Sequence, residues 1–555
     1  MSTPGPSLRA PLLWLLVPFM TGIALADRWP ATAGFLIPSC TVLAAALALL
    51  GAWLANRPST FALWLWPLAL IAAGTLTGYI ALHVRSPRLA GPAAAPREVV
   101  LEIETEQLFP STPQRKTLGG LGRIVATDGH LTGLIGQRVY FSAIKKISVP
   151  PTRSGRYQVR GVLQPLANAS NTGTESAAGF QRYLESAGIR LTLKRAQVVR
   201  ETQTPGWWPQ WCGRTEHRLE TILRTGIERH PTATSLYLGM LLGEKATLDE
   251  EQKNAFMRSG TFHIFCIAGL HIGVIATAIF SLLQLLRLPP RWAIIGSLLL
   301  LWCYVQVIGA NVPTQRAFLM IAFLRGARLF RQPGNSLAAL AAAALLTLCL
   351  EPRQLFSAGF QMSYAVVGSL IVMAAPLARR WETAWQPWRD LPEVSWGWPR
   401  HAVVRLGRTL LGSFATTWVA LLASTPSTIG YFNLFSPGAL LANLFIVPMA
   451  MLAIIAGVAS LIGGLCHLPG LSVVFNHAAV LIIETMDWLM VHGTELPGVY
   501  YRAQFVTPAL ATIALTFLMA VIFAGASLHW PRRWGATWWP ALAVTLILFF
   551  GVKLG

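Results

Sequence analysis

HIFCIAGLHIG, residues 263–273, sets two histidines, a cysteine and closely spaced glycines at the start of an apolar run that continues to residue 286. Ionisable side chains inside hydrocarbon are expensive to desolvate, so they are retained mainly where they face a bundle interior or a water-filled path. This stretch therefore reads as the opening of a membrane helix that lines a conduit.

The rest of the chain supports a membrane setting. Of 555 residues, 54% are hydrophobic and only 12% charged, far below the quarter usual in soluble proteins. Apolar runs recur at 12–26, 31–55, 61–82, 264–286, 292–310, 313–330, 335–350, 355–377, 409–430, 434–462, 470–490, 507–528 and 536–551. Each approaches the length that crosses about 30 Å of hydrocarbon, which predicts roughly 11–13 spans. The first run lacks a small-residue cleavage site and is followed at once by two more, so it is read as an uncleaved anchor.

Between residues 83 and 262 the chain is too polar to span and too long to be a loop. The expected fold is a polytopic α-helical membrane protein with an inserted small all-β, OB-like extracytoplasmic domain. Its divisions are 1–82, N-terminal transmembrane helices; 83–205, the β domain; 206–262, an amphipathic helical connector at the membrane surface; and 263–555, the transmembrane channel domain. Arginines of the short loops, among them Arg57, Arg287, Arg291, Arg328, Arg380, Arg405 and Arg408, place those loops and the N-terminus inside. The β domain then falls outside.

The net charge is +21. Topogenic arginine explains part of it, but residues 83–230 alone carry about 21 Lys and Arg against about 11 Asp and Glu. Long translocated domains are exempt from the positive-inside rule, so this excess suits a polyanionic partner. Period-two runs at 99–106, 123–126, 137–143, 157–163 and 189–198 predict five strands, enough for a small barrel. Arg123, Arg138, Lys145, Lys146, Arg156, Arg160, Arg190, Lys194 and Arg195 would form a DNA-binding face, with stacking on Tyr140, Phe141 or Tyr157. The plainer alternative is a merely solvated charged surface.

In the connector, Thr247 and Glu250 have capping-box spacing, and the helices are expected to lie along the membrane surface or dip partly into it. His263 and His271, eight apart, would share one helix face about 12 Å apart, too far for one metal to bridge. Each would line a path or bond a backbone carbonyl, while Gly269 and Gly273 permit close packing or a hinge.

Pro313 breaks the next helix start, and Gln315 and Arg316 then enter the apolar run, lining the conduit or snorkelling to the interface. Gln361, Ser363 and Tyr364 share one helical turn, for lining or interhelical bonding. Asn433 and Asn443 lie in a proline-rich stretch, 424–448, that predicts broken helices around a cavity. Glu484 and Asp487 would carry protons, pair Arg316 or simply be solvated. No Walker A motif, zinc-ligand string, nucleophile elbow or CxxC pair occurs, so no enzymatic activity, cofactor or metal is expected.

Four blocks in order carry a resemblance: LLGEKATLDEEQKNAFMRSGTFHIFCIAGLHIG from Leu241, GANVPTQRAFLM from Gly309, FSAGFQMSYAVV from Phe356 and LFSPGALLANLFIVPMA from Leu434. Together they resemble the ComEC family of DNA-internalisation competence proteins. The resemblance implies a channel in the bacterial cytoplasmic membrane that takes up single-stranded DNA during natural transformation. His271, Arg316, Gln361 and Asn443 fall within the matching blocks as pore or packing residues.

The implied partners are single-stranded DNA, the bilayer, an extracytoplasmic DNA receptor and a cytoplasmic ATP-driven motor. Many members also carry a metallo-β-lactamase-like domain that this chain does not show before Gly555, so a separate nuclease is expected wherever strand degradation occurs. Two rival readings remain: a proton-coupled transporter of small or lipid-linked solutes using Glu484 and Asp487, and a membrane-embedded hydrolase using His263 and His271.

Overall fold

Alternation along Arg97–Leu108 turns Val99, Leu101 and Ile103 inward while the intervening glutamates stay accessible, and this strand founds a closed barrel. The computed structural model describes residues 12–554 apart from 30–35, 57–59, 86–95, 110–116, 128–131, 145–153, 167–179, 182–183, 186–187, 244–249, 265–266, 389–395 and 528–537. Lys145, Lys146 and Thr247 lie outside the described residues. Two compact units make up the chain: Met1–Arg214 with Phe318–Phe360, and Thr215–Ala317 with Gln361–Gly555.

The first unit opens with α1 (Leu13–Arg28), α2 (Leu36–Ala55) and α3 (Thr60–Arg85). A Cβ on Gly22 would lie 1.9 Å from the Thr75 carbonyl oxygen, and one on Gly78 would lie 2.1 Å from that of Phe19. Glycine at these two positions lets the α1 and α3 backbones touch, the small-residue packing common between membrane helices.

The barrel strands are β1 (Arg97–Leu108), β2 (Thr117–Thr127), β3 (Arg138–Ile144), β4 (Arg156–Pro165) and β5 (Leu191–Gln203). Their order is β1-β2-β3-β5-β4, closed by β4 on β1, and β3 pairs with β5 in parallel. Five strands were expected and five form. Leu101, Ile103, Ile124, Val139, Phe141, Tyr157, Val159 and Leu193 fill the interior.

The second unit receives α4 (Trp207–Arg224), then α5 (Pro231–Leu241), α6 (Glu250–Arg258), α7 (Gly269–Leu285), α8 (Pro290–Val307) and the start of α9 (Val312–Leu329). α10 (Ser336–Leu350) belongs to the first unit. There follow α11 (Ala358–Ser369), a π-helical turn at Leu370–Ala374, α12 (Ala375–Ala384) and α13 (Trp398–Phe432). The chain continues through β6 (Leu434–Phe435), α14 (Ala439–Leu465), α15 (Pro469–Gly493), β7 (Tyr501–Phe505), α16 (Pro508–Ser527), α17 (Trp538–Gly551) and β8 (Val552–Leu554). β6, β7 and β8 form a small antiparallel sheet that no sequence pattern announced.

Among the described residues, eight helices are long and apolar enough to cross a membrane, against the 11–13 expected. Ser336–Leu350 and Trp539–Gly551 are apolar but shorter, and fewer than 18 helical residues reach less than about 27 Å. α1 has only 16 residues, and α9 carries Arg316, Arg325 and Arg328. The chain is a polytopic helical membrane protein.

The connector departs from its expected surface placement at α5. Ala233, Thr234 and all of Leu236–Leu241 are buried, because α5 packs against α14 and α15. Such a helix, apolar all round and too short to span, is a core element.

Candidate functional site

Three backbone interruptions meet inside the second unit. Gly243, with φ +75°, ends α5; a Cβ there would sit 3.0 Å from Ile267 Cδ1 and 3.4 Å from Asn311 Nδ2. Gly260, with φ +70°, follows the end of α6, and a Cβ there would come 2.9 Å from that of Ala439 at the head of α14. Gly309 at φ +97° and Ala310 at φ +45° separate α8 from α9. Glycine tolerates the left-handed region at no steric cost, which is how the helices break here.

Further contacts close the junction. Tyr304 Oη of α8 donates to the Leu241 carbonyl of α5, and a Cβ on Gly269 would meet Ala317 of α9 at 3.8 Å. Helices that stop within a membrane leave N–H and C=O groups that need partners or a lined cavity.

His271 is fully buried in the first turn of α7, and its Nδ1 accepts from the Ala268 N–H at 3.2 Å. That bond puts the remaining ring proton on Nε2. Nε2 is enclosed, near the Ile264 carbonyl but without an aligned hydrogen bond among the described residues.

His263 does not share this helix, contrary to expectation. It sits in a 3-10 turn, Phe262–Ile264, with its exposed ring's Nδ1 3.1 Å from the Gly260 carbonyl. The extended backbone at Ala268 breaks the helical register that would have aligned the two rings. Gly273 has open space where a Cβ would stand and Gly269 only ordinary contact, so close packing is not what these glycines provide. Pro313 occupies the first turn of α9, as its position predicted.

Arg316 is buried on α9 beside the Tyr364 hydroxyl of α11, while Gln315 is exposed with Nε2 donating to the Ala310 carbonyl at 2.7 Å. Gln361 Oε1 accepts from Tyr431 Oη at 3.0 Å, linking α11 to α13, and Ser363 is half-buried. α13 runs unbroken through Pro426 to Phe432 and ends at Asn433, whose left-handed backbone (φ +55°) caps it. The Asn433 carbonyl accepts from the Ala503 N–H at 3.1 Å, so this residue joins helix to sheet. Asn443 lies one turn past Ala439 on the same α14 face. Its Oδ1, with the hydroxyls of Ser427 and Ser436, is enclosed and has no hydrogen-bond partner among the described residues.

Glu484 and Asp487 on α15 do not pair Arg316. Glu484 Oε1 lies 2.6 Å from His230 Nδ1, and Gln252 Nε2 donates to both Asp487 oxygens at 3.3 and 3.1 Å. These side chains and Arg229 line a cavity of about 290 Å³ at the start of α5.

Sequence reasoning missed Asn476. Fully buried, it accepts from Ser460 Oγ at 2.6 Å and Tyr237 Oη at 3.3 Å, and donates to the Ile222 and Thr225 carbonyls at 2.9 and 3.0 Å. An asparagine in an apolar helix with Ser472 one turn before it was the available signal.

On the barrel, four of the nine expected cations are neutralised locally. Arg123 pairs with Glu106 at 2.8 Å, Arg156 with Glu104 at 3.2 Å and Arg160 with Glu98 at 2.7 Å. Arg138 bridges Glu106 and Glu351, each at 2.8 Å. Burial opposes the charge on Arg138, but the two glutamates outweigh it and raise its pKa. Burial likewise pushes Glu351 up, and Arg138 outweighs that to leave it below the usual carboxylate range.

Arg190, Lys194 and Arg195 are exposed and make no ion pair among the described residues. Phe141 and Tyr157 cannot stack on bases, because both are 1% exposed within the barrel core. Tyr140 packs instead with Phe109 and Phe180, at 6.2 and 5.3 Å between ring centroids.

Residues 240–531, just over half the chain and including the whole junction, match the family model described as "Competence protein". The chain belongs to the competence-protein family. It is 26% identical over 228 residues to ComE operon protein 3 of Bacillus subtilis, covering 41% of this chain and 26% of that protein. It is also 24% identical over 221 residues to Recombination protein 2 of Haemophilus influenzae, covering 39% and 26%. To the uncharacterized protein YcaI of Escherichia coli it is 26% identical over 236 residues, covering 41% and 28%. The matched stretch thus spans about a quarter of each relative's length. No solved structure matches the chain.

Proposed function

We propose that this competence-family protein conducts single-stranded DNA across the bacterial cytoplasmic membrane during natural transformation. The observation that carries the reading is the meeting of three helix interruptions around buried His271 and Arg316 inside an apolar bundle. Membrane proteins place solute paths where helices are discontinuous, because freed backbone groups there face a cavity instead of lipid. Exposed Gln315 stands at this junction beside buried Arg316 and His271, whose side chains carry hydrogen-bond donors of the kind phosphates accept from.

In this reading the barrel is an OB-like extracytoplasmic domain, in keeping with its five closed strands. Arg190, Lys194 and Arg195 on and before β5, rather than the paired arginines, gather the strand by phosphate neutralisation. A DNA receptor outside and an ATP-driven motor inside complete the pathway.

The test follows labelled DNA into cells whose only copy carries His271→Ala or Arg316→Ala at matched protein levels. Entry falls while surface binding persists; unchanged entry in both variants contradicts the proposed lining. The cavity holding His230, Glu484 and Asp487 favours a second reading, proton-coupled solute transport. Proton-driven uptake into vesicles that is indifferent to DNA and lost in Glu484→Gln would support it.

A further inference from the structure

α13 is 35 residues long, about 52 Å at 1.5 Å per residue, and so exceeds the roughly 30 Å of hydrocarbon by several turns. Its arginine-rich beginning therefore extends into the headgroup zone, on the side where short-loop arginines gather. Along one face of that end, spaced by three and four residues, stand His401, Arg405 and Arg408. With Glu382 of α12 and Trp396 they line a cavity of about 380 Å³.

Its chemistry is that of an anion site. Arg405 and Arg408 form no ion pair among the described residues, not even with Glu382, so the two arginines leave the lining a net positive charge. The Trp396 Nε1–H is enclosed and has no acceptor among the described residues. A buried indole donor without a partner is costly unless something else supplies the acceptor.

Aromatic packing fixes the surroundings. Trp396 meets Trp388 edge-on at 5.9 Å, Arg400 lies over the Trp388 ring at 5.9 Å, and Gly407 leaves room for the Trp385 ring against α13. On the same turns of α13, the exposed apolar side chains of Val403, Leu406 and Leu410 lie on the opposite face of the helix, away from the cavity. Cations held at headgroup height match the phosphate of a lipid headgroup better than a free anion.

We propose that this cavity binds a phosphate-bearing anion, and that its occupant is the headgroup of an anionic phospholipid. The phosphate accepts from Arg405, Arg408 and the Trp396 indole. The site stands apart from the DNA-conduction reading and does not depend on it.

Native mass spectrometry of the full chain in neutral detergent tests this with phosphatidylglycerol, phosphatidylcholine and inorganic phosphate as probes. Each arginine near an anionic surface contributes about a factor of five, so Arg405→Gln with Arg408→Gln should weaken phosphatidylglycerol binding about 25-fold. The same two positions changed to Lys, and the control pair Arg287→Gln with Arg291→Gln, should bind within about threefold of the parent.

Trp396→Phe removes only the N–H and should weaken binding about threefold to tenfold, which keeps the test valid should the double glutamine variant fail to fold. Phosphatidylcholine should not compete. Equal phosphatidylglycerol affinity in all variants overturns the site, and full displacement by millimolar inorganic phosphate overturns the lipid as its occupant.

Discussion

Replacing Asn476 with Leu removes four hydrogen bonds at once, two accepted from hydroxyls and two donated to carbonyls at the end of α4. At about 1 kcal/mol net for each, the loss is about 4 kcal/mol, of which roughly 1–2 kcal/mol returns through burial of the added aliphatic surface. The net cost is then about 2–3 kcal/mol. The hydroxyls of Tyr237 and Ser460 can turn to new acceptors, but the Ile222 and Thr225 carbonyls are fixed by the helix end. At about 2–4 °C per kcal/mol, the apparent melting midpoint in detergent, read by loss of the monodisperse peak after heating, should fall by about 5–10 °C.

Ser472→Ala, which removes a single 2.8 Å bond to the Ser460 carbonyl, sets the scale at about 1 kcal/mol. α5 is held by the same network, and its Leu241 end forms part of the junction. DNA entry should therefore fall with the midpoint. A midpoint within about 1 °C of the parent would show that the network does not hold these helices together, and the reasoning fails there.

Two further outcomes concern the barrel. Because Arg138 depresses the Glu351 pKa below its ordinary 4.5, the pair's stabilisation is complete above pH 4.5 and is lost as pH falls through the depressed value. At half-exposed positions this is worth no more than about 1 kcal/mol, so pulsed hydrogen exchange of β1–β3 should speed up modestly on acidification. Arg138→Gln should remove that pH dependence; an unchanged acid profile would deny the coupling. Neutralising Arg190, Lys194 and Arg195 to Gln should lower the salt slope of oligonucleotide binding by about 2, measured by fluorescence anisotropy. Arg156→Gln with Arg160→Gln should alter it far less, because Glu104 and Glu98 already compensate those charges. Equal effects from the two sets would mean that ion pairing does not choose the DNA face.

The barrel was legible because one inward side chain at every second position leaves its mark locally: Val99, Leu101 and Ile103 alone define the face of β1. The limits of most long spans were legible for the same reason. What could not be read depends on partners far away in the chain. Glu351 lies 213 residues from Arg138, and nothing near either residue announces their bond.

Phe141 and Tyr157 read as candidate stacking aromatics because alternation fixes which residues share a face but not which face is the core. His263 and His271 read as one helix because the Gly260 and Ala268 backbone conformations leave only a faint trace in sequence. α5 looked like a surface element for want of length, whereas its uniform apolarity was the better guide. His271 and Arg316 stood out as lining or packing candidates because hydrocarbon makes such residues rare, and both are buried.

The most direct test of the conducting junction is photocrosslinking from Gln315, the exposed α9 residue beside buried Arg316. A benzoylphenylalanine placed there in cells taking up labelled DNA should form adducts with the entering strand. One placed at Leu285, exposed on the last turn of α7, should form none. Adducts absent from position 315 while uptake proceeds, or equal at both positions, would contradict a DNA path through this junction.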